Sequence, residues 1–254
     1  MFKTIRIIIL LFILASVAQG AWLARTQSVE WKRVLPVNVY FISGDGSAIA
    51  ADYLRSLTPV DFKNIETFMR DEAARYGRST HASIEIRLGG KIDALPPAPP
   101  RNGSAFDAIV WSLKMRWWAY RNTDMVGPGP QVRMFLLYFD PAKHGQLAHS
   151  TGLQKGLIGR VNLLASNDMA KQNNVVIAHE FLHTLGATDK YDPATNLPIY
   201  PDGYADLDHK PLLPQRFAEI MAGRTPLSRT EAEIPASLED TLIGNKTAQE
   251  INWM

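Results

Sequence analysis

The sequence predicts an α+β domain, and three observations carry that expectation. Runs rich in β-branched and aromatic residues alternate with stretches of helical period, in the order β-α-β-α-β-β-α. One run, QVRMFLLYFD at 131–140, is almost continuously apolar, as a central strand covered on both faces must be. Beyond about residue 190 the chain carries many prolines and few long periodic runs, so an irregular C-terminal region follows the layered part.

The elements follow in order. Residues 22–33 read as a short polar stalk, and VLPVNVYFIS at 34–43 has strand composition. GDGSAIAADYLRS at 44–56 reads as a loop or irregular segment. In 58–77, Thr58 suits an N-cap, Pro59 the first helical position and Gly77 the end, while Phe62, Ile65, Phe68 and Met69 recur at helical spacing. SIEIRLGG at 83–90 alternates like a strand, and the proline-rich 94–104 is a surface loop. Residues 105–120 form the second helix, with Trp111, Trp117 and Trp118 expected in the core. GLIGRVNLLAS at 156–166 is a further strand. The last helix, from residue 167, ends at Gly186.

With 254 residues, 46% hydrophobic and 20% charged, the chain can bury the core of one domain, and disorder is excluded. It has no cysteine, which excludes disulfides, thiolate metal sites and thiol nucleophiles. Lys3 and Arg6 precede an apolar run from Ile7 to Ala24 in which only Ser16 and Gln19 are polar. Residues 1–25 are therefore expected to be a signal peptide, cleaved before Ala21, or a membrane anchor with an exported domain behind it. This segment also explains the net charge of +2: removing its three basic residues from 27 leaves 24 against 25 acidic ones. No basic patch remains to argue for nucleic acid. Residues 26–254 are expected to be a single domain, with the sheet and motif helix ending near 190 and the C-terminal region running from about 191.

The chemistry concentrates in VVIAHEFLHTLGATDKYD, 175–192. Ala178, Phe181, Leu182 and Leu185 follow i, i+3, i+4, i+7 spacing and form the buried stripe. His179 and His183 share a different face one turn apart, so both imidazoles can reach one metal ion. Glu180 projects about 100° from His179 and can lie beside the metal without binding it. There it can take a proton from water whose pKa zinc lowers to roughly 7. Gly186 ends the helix, and Asp189 follows where a returning chain can offer a third ligand.

HEFLHTLGATD, 179–189, resembles the extended HExxHxxGxxH/D signature of metzincin metallopeptidases, in the aspartate-ended form similar to snapalysin-type enzymes. The resemblance implies His179, His183 and Asp189 as zinc ligands and Glu180 as general base. It implies a methionine-containing turn beneath the metal, for which AEIMAGR supplies Met221. It also implies a metzincin/zincin-like domain: a twisted mixed sheet with packed helices, and an edge strand that pairs with extended substrate, a place that 156–166 would fill. Asp192 and His209 are rivals of Asp189 for the third position. Tyr191, Tyr200 and Tyr204 can each donate to a substrate carbonyl. The carboxylates of DGYADLD, 202–208, lack the spacing of a calcium loop, and His81, His144 and His149 have no ligand-like neighbours in sequence.

The expectation is a zinc-dependent metalloendopeptidase acting on a peptide or protein substrate outside the cytoplasmic membrane, held there through its N-terminal segment. The alternatives are a catalytically inactive anchored scaffold domain and a zinc amidase acting on a cell-wall substrate. The intact Glu180 argues against the scaffold.

Overall fold

Alternating and continuous apolar runs become one sheet in the computed structural model, which describes residues 26–78, 83–100, 104–124, 129, 131–154 and 156–254, with Arg6, Ile7 and Gln19. Its strands are β1 (Leu35–Ser43), β2 (Ile84–Lys91), β3 (Val132–Phe139), β4 (Thr151–Leu153) and β5 (Ile158–Leu164). Their spatial order is β2-β1-β3-β5-β4, parallel throughout except for β4, which runs antiparallel to β5. The sheet is therefore mixed and twisted, and β3 is central, as its composition predicts.

Among the described residues the α-helices that accompany the sheet are α1 (Ala48–Ser56), α2 (Lys63–Arg75), α3 (Ala105–Asn122), α4 (Ala170–Leu185) and the short α5 (Asn245–Glu250). Successive side chains of a strand point to opposite faces. Met134, Leu136 and Tyr138 of β3 join Ile65 and Met69 of α2 and Ala178, Phe181 and Leu182 of α4 in the larger core. Phe135 and Leu137 face the other way, onto Trp111, Met115 and Ala119 of α3. The motif helix and α3 thus occupy opposite faces of the sheet. Ahead of α2, Thr58 closes a capping box with Asp61, and Pro59 opens a short 3-10 turn.

Four expectations are corrected. Residues 48–56 are helical rather than irregular: the Ser47 side chain accepts from the Ala50 amide, and Ala50 and Leu54 turn inward. Strand β5 is interior, because the three residues of β4 pair along its free side and form the edge themselves. Trp117 is largely exposed, since six residues of helix rotate it about 120° from the buried Trp111. The supposed stalk is part of the domain from Thr26 onward. Ser28 and Trp31 are buried, and the Trp31 indole N–H donates to the Ile251 carbonyl at 2.7 Å.

The expected signal or anchor segment lies outside the described residues apart from Arg6, Ile7 and Gln19. Among the described residues no helix is long and apolar enough to cross a membrane. The C-terminal region is irregular as expected, with two-residue strand pairs β6 (Ala218–Glu219) with β9 (Thr241–Leu242) and β7 (Thr225–Pro226) with β8 (Ala232–Glu233).

Candidate metal centre

Helix α4 brings the two histidines of the motif together by its pitch alone, and backbone carbonyls then orient them. The Nδ1–H of His179 donates to the Ile220 carbonyl at 2.9 Å, and that of His183 to the Ala187 carbonyl at 2.8 Å. A carbonyl can only accept, so in the neutral rings both Nε2 atoms carry lone pairs. Those two atoms are 3.1 Å apart. Such carbonyl-fixed orientation is the usual outer support of a metal-binding histidine.

Gly186 ends α4 in the left-handed region, with φ 111°, and its amide donates to the Leu182 and His183 carbonyls. The chain doubles back and presents Asp189, whose Oδ1 lies 3.2 Å from His179 Nε2 and 3.1 Å from His183 Nε2. Three donors bound at about 2.05 Å with tetrahedral angles would stand about 3.3 Å apart, so this triangle fits zinc. Glu180 closes the group: a ligand atom of His179, Glu180 and His183 each lies within 4.8 Å of the others, and together these residues could hold a metal.

Burial opposes ionisation of Asp189, but the two imidazole nitrogens beside it hold it well below the ordinary carboxylate range. Burial likewise opposes a charge on His179, yet Asp189, Glu180 and the Ile220 carbonyl push it up to about 9. In the metal-free chain at neutral pH the pair therefore holds a proton that a cation must displace. Glu180 is buried, and burial raises its pKa against the lowering effect of the two imidazoles. Its Oε2 has no hydrogen-bond partner. A buried carboxylate oxygen left without a donor is rare in a folded protein and suits a group that meets its partner only in a complex.

Two clamps hold the floor and the turn. The Met221 side chain is fully buried in the 3-10 turn Ile220–Ala222, the turn whose Ile220 carbonyl orients His179. Glu219 fixes this turn, accepting from the Ala222 amide at 3.0 Å, the Gly244 amide at 3.1 Å and the Thr247 hydroxyl at 2.6 Å. Glu250 grips both neighbours of Asp189. It accepts from the Thr188 amide and hydroxyl at 2.9 and 2.8 Å and from the Lys190 ammonium at 2.7 Å. Neither glutamate is marked in the sequence as part of the centre, because each acts from far along the chain or through backbone amides.

Other candidates separate in space. Asp192 caps its own turn, accepting from the Ala194 amide and the Thr195 hydroxyl. His209 is not among the residues that meet at the centre. A cleft of about 240 Å³ opens beside Glu180, lined by His149, Tyr191, Val175, Val176, Ile220 and Arg224, among others. Tyr191 is raised by burial and by the charges of Asp189 and Glu180, so it remains a phenol donor at neutral pH. His149, which sequence reading gave no role, lines this cleft and lies close enough for its charge to act on Glu180. Asn162 of β5 holds it there by donating to the Ala148 and His149 carbonyls. Edge strand β4 lies so close to α4 that a Cβ at Gly152 would stand 2.4 Å from His183 Cβ and 2.6 Å from the Glu180 carbonyl oxygen.

No family model and no curated protein matches the chain. Among solved structures it is similar to wild-type OgpA from Akkermansia muciniphila, at 14% sequence identity and a TM-score of 0.36, over 85% of this chain and 58% of that one. The chain thus spans little more than half the length of that protein, and a likeness at this level carries no argument about fold or activity.

Proposed function

We propose that the chain is a zinc-dependent hydrolase, a metallopeptidase of metzincin type, with His179, His183 and Asp189 as ligands and Glu180 as general base. The convergence of two Nε2 atoms and one Oδ1 to mutual distances of 3.1–3.2 Å carries the reading. When bound, zinc would supply Lewis acidity toward water and a substrate carbonyl. The protein groups do the rest. Glu180, with one oxygen free, takes the proton of the attacking water and returns it to the leaving amine. Tyr191 can donate to the carbonyl oxygen as its negative charge grows. The edge position of β4 leaves one side free to pair with an extended peptide backbone. The domain works outside the cytoplasmic membrane, held or delivered there by the apolar segment from Ile7 to Ala24.

The test is elemental analysis of protein expressed with zinc available, followed by a broad peptide-cleavage screen. One zinc per chain is expected, and Glu180→Gln should keep the metal while lowering hydrolysis by roughly 10²–10⁴-fold. Absence of metal from the wild-type chain overturns the reading, and loss of zinc from Glu180→Gln overturns the role given to Glu180.

A further inference from the structure

Helix α3 has two apolar faces. One packs on the sheet through Trp111, Met115 and Ala119. The other carries Phe106, Ile109, Leu113, Trp117 and Tyr120, exposed by 71, 58, 57, 63 and 69% respectively. At 100° per residue these five fall within an arc of about 80°, opposite the buried face. The exposed cations Lys114 and Arg121 border the arc on one side, and Arg116 on the other is half-buried against Gly156. The Arg121 guanidinium stands 6.0 Å from the centre of the Trp117 ring, and the Trp117 and Tyr120 rings are 5.9 Å apart. A stripe of this size on a soluble surface marks a contact. Aromatic and aliphatic residues in the middle with lysine and arginine along the borders is the composition of a helix lying in a bilayer interface, where the cations reach up to headgroup phosphates.

The apolar run ahead of the domain makes a bilayer available as that occupant. The apolar run ends at Ala24, and the chain is already part of the fold at Ser28 and Trp31. No stalk separates the two, so a bilayer holding the run lies directly against the surface where the domain begins. That surface includes Gln27 and Ser28 together with Gly129, which lies between α3 and β3 in sequence, while Val29 and Trp31 turn into the core on the α4 side. We propose that α3 lies on the membrane, its exposed stripe sunk among the acyl chains and Lys114 and Arg121 on anionic headgroups. This rests on the reading that the N-terminal run is held in a bilayer. Because α4 packs on the opposite face of the sheet, the metal centre is turned away from the membrane, toward substrates in the adjoining aqueous space.

The chain has no cysteine, so a single label can be placed cleanly. The full-length protein, as Leu113→Cys carrying a small fluorophore, is reconstituted with vesicles of phosphatidylethanolamine and phosphatidylglycerol. Thr230→Cys, exposed on the cleft side, serves as reference. Flotation reports membrane attachment, aqueous iodide reports exposure to water, and a lipid-borne nitroxide reports contact with acyl chains. The expected result is flotation of both, loss of most iodide quenching at position 113 relative to 230, and nitroxide quenching at 113 alone. Flotation with equal iodide quenching at both positions overturns the docking of α3 while leaving the anchor intact. Shielding of 113 from both quenchers also overturns it, in favour of a protein surface such as a second copy of the chain. Failure to float overturns the anchor and the docking together.

Discussion

Asp189 offers the carboxylate oxygen nearest both motif imidazoles, whereas the oxygens of Asp192 are spent on its own turn. Removing an outer hydrogen-bond partner of a metal ligand already costs roughly 10–100-fold in affinity, so removing a ligand should exceed that. Asp189→Ala is therefore expected to lose zinc in a competition titration with a chelator, and Asp192→Ala to retain it. The reverse order would show that the turn after Gly186 does not supply the third donor. The meeting of His179, Glu180 and His183 and the turn at Gly186 were legible because helical pitch and the need for positive φ act within a few residues of sequence. His149 was not legible, since what brings it to the cleft is a hydrogen bond from Asn162, thirteen residues later on β5.

Strand β4 shows how an element can escape sequence reading and still shape the site. Three half-buried residues are too few to display an alternating pattern, so 156–166, the longer apolar run, took its place as the expected edge. Gly152 is the trace β4 leaves. With the glycine, the strand approaches α4 closely between Glu180 and His183. Gly152→Ala should overpack this contact, lowering stability by about 1–3 kcal/mol and loosening zinc together with it. Thermal denaturation with and without zinc checks this, and an unchanged melting temperature would mean that β4 has room to move. Helix α1 escaped for a related reason: only Ala50 and Leu54 turn inward, and the glycines before it resemble a loop. The longer helices and β3 were legible because their patterns run over many residues.

At the scale of the whole molecule, the stripe proposed to meet a membrane and the candidate metal centre lie on helices that pack against opposite faces of the sheet. The native protein is expected to stay with membranes through a carbonate wash, because the run from Ile7 to Ala24 contains no charge. Recovery of a soluble chain beginning at Ala21 would instead show removal of the segment. The clamp on the third ligand adds a consequence in time. Thr188 and Glu250 are 62 residues apart, and Trp253 near the chain end seats against Trp31, with its carbonyl accepting from Arg78. During synthesis both imidazoles emerge long before anything exists to grip the aspartate turn. The candidate centre therefore gains its grip on the aspartate turn only once the segment carrying Glu250 has docked, so its third donor is set late in folding.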